Sequence, residues 1–194
     1  ATITVTPSYE NGSVTCSGPA QTFTITVNPT GQVNDPADQV VCVGGSTANV
    51  IFSTLNTVGT TVYNWTNDNT AIGLGAGSAG DILSFVTTNA TTAPITGTIT
   101  VTPTFNNGAS SCTGPSQTFT ITVNPLGQVN AISDQVVCNG SSTANVIFST
   151  ANTGGTTSYS WTNDTPGIGL TASGTGNIPF FTAVNAGNNP VIAT

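Results

Sequence analysis

The chain repeats itself at a fixed distance. Cys16 recurs as Cys112, Cys42 as Cys138, Trp65 as Trp161 and Ile3 as Ile99, each 96 residues further on. The strings TITVTP, QTFTITVNP, STANVIFST and IGL all occur twice in that register. A period of this length sets the folding unit, because each copy has to bury its apolar side chains locally or against its neighbour. Two periods leave Ala193-Thr194, which reproduce Ala1-Thr2, so the end of the chain reads as ready to run into its own beginning.

Within one period the pattern is that of strands. Residues 98–102 and 118–123 alternate strictly between Thr and a large apolar residue. Such alternation marks a strand with one buried and one wet face. Further strands are expected near residues 39–42, 47–53, 61–66 and 82–86, and at the matching positions 96 residues on. In 50–52, Val50 and Phe52 should point inward. Tyr63 and Trp65 share a face, with Trp65 at the core centre. Residues 106–116, polar and Gly-containing, read as a long hairpin loop. No window carries the apolar spacing of a helix. About seven short strands per period predict an all-β fold: tandem immunoglobulin-like β-sandwich repeats of 96 residues forming a rod. The expected core residues are Phe52, Tyr63, Trp65, Phe119 and Ile121, with Phe148, Tyr159 and Trp161 in the second copy.

The composition removes whole classes of function. There is no Lys, Arg or His, against seven acids. Without cations the chain cannot neutralise phosphates, so nucleic acid is not an expected partner. Most general-base and imidazole-metal chemistry is likewise out of reach. No apolar run approaches the roughly 20 residues of a membrane helix, so membrane insertion is not expected. Disorder does not fit either, since disordered chains are charged and poor in β-branched residues. Absent Lys and Arg also remove the cleavage sites of trypsin-like proteases, as suits a durable extracellular material.

Pro29 and Pro125 close the strongest alternating strand and place the boundaries, because Pro does not continue a central ladder. Residues 1–29 then form the C-terminal hairpin of a preceding repeat. Residues 30–125 form a complete sandwich, and residues 126–194 the N-terminal strands of the next repeat. Both outer pieces would expose apolar faces and strand edges. Two completions stand open: the polypeptide continues, or a neighbouring subunit supplies the missing strands. The expected partner is therefore the chain itself, head to tail.

The ordered set of Cys42-x-Gly44, Tyr63-x-Trp65, Ile72-Gly73-Leu74, Phe85-x-x-x-Asn89, TITVTP, Cys112-x-Gly114 and FTITVNP resembles the PKD-like (polycystic-kidney-disease-like) immunoglobulin repeats. Large surface proteins of Bacteroidota carry these in tandem. The resemblance implies a cell-surface or secreted array, acting as stalk, adhesin or filament, with no catalytic residues.

Cys16, Cys42, Cys112 and Cys138 are disulfide candidates in an oxidising compartment. In an immunoglobulin topology Cys42 and Cys112 lie at opposite poles, so stacking could pair Cys42 with the last hairpin of the next repeat. An intradomain Cys42–Cys112 bond and free thiols remain alternatives.

Other candidate chemistry is thin. The acids are Glu10, Asp35, Asp38, Asp68, Asp81, Asp134 and Asp164, and only Asp38/Asp134 and Asp68/Asp164 recur. They read as turn and strand-end caps rather than as a calcium cluster. No metal, catalytic or cofactor site is expected, and no enzyme. Sequons at Asn11, Asn64, Asn89, Asn139 and Asn163 read as fortuitous. Two other functions compete with the filament: an adhesin or glycan-binding module using loops at 75–80 or 106–116 with exposed Tyr9, and ice binding by the outward rows Thr98/100/102 and Thr118/120/122.

Overall fold

The computed structural model describes all residues 1–194. The chain is all-β, with twelve short strands and two three-residue 3₁₀ turns. The strands are β1 Thr2–Val5, β2 Ser8–Asn11, β3 Val14–Ser17, β4 Gln21–Thr24, β5 Gln39–Cys42, β6 Thr60–Asn67, β7 Gly77–Ala79, β8 Ile95–Asn107, β9 Ser110–Thr113, β10 Gln117–Asn124, β11 Ser160–Thr162 and β12 Ser173–Thr175. No helix is long and apolar enough to cross a membrane.

Six strands form the main sheet, in the order β5-β10-β8-β6-β7, with β9 also paired to β8. All neighbours run antiparallel except β5, which joins β10 in parallel. The alternation read from the sequence sets the faces. Ile99, Val101, Phe105, Phe119, Ile121 and Val123 are buried, while the intervening threonines lie on the outer face. Val50, Phe52, Ile72, Leu74 and Ile82 cover the inner face and form one cluster with Trp65 and the sheet residues. The whole apolar core therefore lies between residues 50 and 123.

Strands were expected at 47–53 and 82–86. These segments instead meet only at two isolated bridges, Ser46–Val86 and Val50–Ile82. Thr47 N, Val50 N and Ile82 N still donate to carbonyls across the pair, but other backbone donors go to side chains. Asp81 Oδ1 accepts from Phe52 N, Asn49 Oδ1 from Ser84 N, Asn34 Oδ1 from Ser53 N and Gln39 Oε1 from Ala48 N. Short polar side chains that satisfy backbone groups compete with a ladder and replace it here. Val50 and Phe52 are nevertheless buried and Ile51 is exposed, since each side chain's direction survives the loss of ladder partners.

The long loop expected over 106–116 is also different. β8 runs on through Pro103 to Asn107 and turns through Gly108, at φ +62°, into β9. A glycine with positive φ is what a two-residue hairpin turn requires. Pro103 is tolerated inside β8 because its carbonyl accepts from Gly114 N, at the gap where β9 gives way to β10. Its missing N–H falls where the ladder has no partner strand to serve.

Candidate assembly interface

The recurring aspartates sit at strand ends. Asp38 Oδ1 accepts from Thr120 N at 2.6 Å, just before β5 begins its pairing with β10. Asp68 Oδ1 accepts from Thr98 N at 2.7 Å, just past the end of β6. Each carboxylate replaces a ladder carbonyl where the neighbouring strand has stopped. No three Asp, Glu or Cys side chains converge.

All four cysteines are free, Cys112 half-buried and the others exposed, so no disulfide forms within this chain. For the intradomain pair the reason is distance. Cys42 lies level with Asn124 and Ile95 at one end of the sheet, and Cys112 is paired with Phe105 at the other. Ten residues of β8 separate those levels, about 33 Å at the usual strand rise, against the ~7 Å limit between bridged Cα atoms.

Residues 1–29 repeat the closing strands of the sheet. Thr2–Val5 pair with Gln21–Thr24 in the register that joins residues 98–101 to 117–120. Ser8–Asn11 pair with Val14–Ser17 as β8 pairs with β9. No residue in this segment is buried. Val5, Phe23, Ile25 and Val27 are 52%, 50%, 51% and 87% exposed, where Val101, Phe119, Ile121 and Val123 are at most 2%. Tyr9, the candidate aromatic for a glycan, stands at the position of buried Phe105, so its exposure is that of a core residue without its cover.

Residues 126–194 repeat the other part. The bridges Ser142–Thr182 and Val146–Ile178 match Ser46–Val86 and Val50–Ile82. The 3₁₀ turn Pro166–Ile168 matches Thr70–Ile72, and β12 matches β7. Phe148 and Tyr159 stack at 5.4 Å and 40°, as Phe52 and Tyr63 do at 5.5 Å and 40°. The strand expected at 135–138 does not form, because its partner, the counterpart of β10, lies outside this segment. The counterpart of β6 shortens to β11 for the same reason, lacking that of β8. Phe148, Tyr159 and Trp161 are only half-buried, and Asn163 is the single buried residue here.

Trp161 shows what the missing strands do. In the closed sheet Val101 stands beside Trp65, whose Nε1 donates to Gly80 O at 3.1 Å. Trp161 has no such neighbour; its ring lies over Gly174, and its buried Nε1 has no partner.

The last four residues already occupy the start of the missing strand. Thr194 N donates to Asp164 Oδ1 at 2.8 Å and Thr194 O accepts from Asp164 N at 3.2 Å, as Thr98 does with Asp68. The Thr194 N–H and the Thr165 hydroxyl together hold the Asp164 carboxyl below the usual carboxylate range. Tyr63 is shifted the other way, its phenol pushed up mainly by burial, with the Asp81 charge adding to it and a hydrogen bond with Thr54 opposing it.

The two outer segments attach at opposite poles of the sheet. Asn28 meets Asn107 at 2.8 Å, and Gly31 N donates to Cys112 O. At the other end Thr153 N and Asn152 Nδ2 both donate to Thr92 O. β8, about 40 Å long, separates them.

The outer face carries the threonine rows. Thr118, Thr120 and Thr122 lie opposite Thr100, Thr98 and Thr96, and the Thr96 and Thr122 hydroxyls are 2.9 Å apart. No protein-family model, curated protein or solved structure matches the chain.

Proposed function

We propose that the chain is a structural repeat of an extracellular filament or surface stalk, built from immunoglobulin-like sandwich units stacked head to tail and performing no catalysis. One observation carries this reading: the segments at the two poles are complementary parts of the unit that lies between them. Residues 1–29 keep the pairing of the closing strands, and residues 126–194 keep the hydrogen bonds of the part that those strands close.

Load along such a line is borne by transverse ladders and by polar contacts at the joints. Asn152 ties the joint by donating to Thr92 O and Leu126 O while its Oδ1 accepts from Gln128 N. A short, Pro-containing junction held in this way resists bending. Localisation outside the cell rests on the absent cations and on the resemblance to surface repeats.

Electron microscopy of assembled material tests the reading. Straight, unbranched rods with an axial period near 40 Å per unit are expected, the height of a 13-residue strand. Compact globules would contradict it.

A further inference from the structure

We propose that the threonine face of the central sheet docks on the same face of a second copy of this chain, side by side. The face belongs wholly to the six-stranded sheet of the central unit. The contact is lateral, so it is independent of how units join end to end and adds to the filament reading a way for rods to bundle.

Pleating sends every second side chain of a strand to the outer face. On β8 these are threonines from Thr96 to Thr104, and on β10 from Thr118 to Thr122. Val62 of β6 and Val40 of β5 flank them, 43% and 71% exposed. None of these side chains is charged. Asp38 and Asp68 lie at the two margins, and each turns its Oδ1 to a backbone N–H of the sheet. The lack of charge decides where two copies can meet. The chain has seven acids and no Lys, Arg or His, so two acid-bearing surfaces repel and no side-chain ion pair offsets the repulsion. The opposite layer carries such an acid, exposed Asp81, beside Leu83.

The face also complements itself. A hydroxyl both donates and accepts, so threonine meets its own kind favourably, whereas a carboxylate only accepts. At the margins the hydroxyls pair within the chain, Thr96 with Thr122 at 2.9 Å and Thr102 with Ser116 at 2.7 Å. Between them Thr98 lies opposite Thr120 and Thr100 opposite Thr118, and these four hydroxyls bond to nothing in the chain. At the usual strand rise and spacing the six strands present roughly 600 Å² per copy. Two such faces reach the lower bound of specific interfaces, about 1,200 Å² in total. The contact between single chains is therefore weak and reversible, and it strengthens where a rod presents the face once per unit.

The experiment is sedimentation velocity of the full 194-residue chain over a concentration series, at low and high salt. A reversible dimer is expected, tighter at high salt because screening weakens the repulsion between two chains of charge −7. Thr100→Asp sets an acid at the centre of the face on both copies and should abolish the dimer. Thr118→Asp does the same at a more exposed position that asks less of the fold, and unfolding curves of both variants check that the central unit is intact. Leu83→Asp, on the opposite layer and 71% exposed in the unaltered chain, should leave the dimer as it is. A chain monomeric at every concentration, association that salt weakens, association that folded threonine variants leave intact, or a dimer lost equally in Leu83→Asp would overturn the proposal. Single straight rods in micrographs, with a monomeric chain in solution, defeat the lateral contact alone; globules defeat the rod.

Discussion

Residues 46–87 and 142–183 are similar in sequence and share most of their backbone hydrogen bonds, yet only the first segment is closed inside. Val50, Phe52, Trp65, Ile72 and Ile82 are buried, and their counterparts Val146, Phe148, Trp161, Ile168 and Ile178 are half-exposed. The bridge Val50–Ile82 has N–O distances of 2.8 and 3.0 Å, and Val146–Ile178 has the same pair. Local backbone geometry is thus set by local polar side chains, and burial by two strands from further along the sequence. The threonine-rich β8 and β10 decide whether the same local scaffold closes a core.

The comparison can be broken at paired positions. The largest effect is expected at the closing strand. Phe119→Ala should cost about 3–5 kcal/mol in urea unfolding, as removal of a buried aromatic does. Phe23→Ala, the same change in the uncovered copy, should cost the free chain under about 1 kcal/mol, because its ring is half in water already. Equal costs would show that residues 1–29 are packed after all.

Gly31→Ala should come next, at about 1–3 kcal/mol, because backbone at Pro103 and Phe105 would have to move. Gly127→Ala should be neutral in the same urea unfolding.

A smaller effect is expected at the indoles. Trp65→Phe removes a satisfied hydrogen bond, worth about 1 kcal/mol, along with some packing. Trp161→Phe removes an indole whose N–H has no partner and should leave stability unchanged or slightly raised. The remaining tryptophan should emit at shorter wavelength in Trp161→Phe than in Trp65→Phe.

The smallest effect is one of pH. Asp164 is depressed in the folded chain, so its contribution is fully present above the ordinary carboxylate range near 4 and is lost as pH falls through its lower folded value. The protection of the Thr194 amide, measured against its intrinsic exchange rate, should therefore fall in acid, and Asp164→Asn should remove that step.

Much of this was legible in the sequence because period-two alternation needs no partner to be read. Ile99/Val101 and Phe119/Ile121/Val123 lie inward, and β5 spans the residues expected of it. The segments 47–53 and 82–86 misled because their apolar pattern is that of strands, while Asn34, Gln39, Asn49 and Asp81 take the ladder's place. Nothing in the spacing of those four residues announces that they converge across up to 35 residues of chain. β9 is hidden inside a polar stretch, because composition alone does not distinguish a Gly in a loop from Gly108 as the first residue of a tight hairpin turn. The complementarity of residues 1–29 and 126–194 was visible in the 96-residue register, whereas the orphaned Trp161 indole and the seating of Thr194 needed coordinates.

Hydrogen exchange at four backbone amides tests the central claim most directly. Val50 and Ile82 make the same bridge as Val146 and Ile178, with the closing strands present in one case and missing in the other. The first pair should exchange only by opening of the whole central unit, and the second orders of magnitude faster. Equal protection of both pairs in a monomeric chain would mean that the C-terminal segment is stable without the closing strands, and would contradict the account.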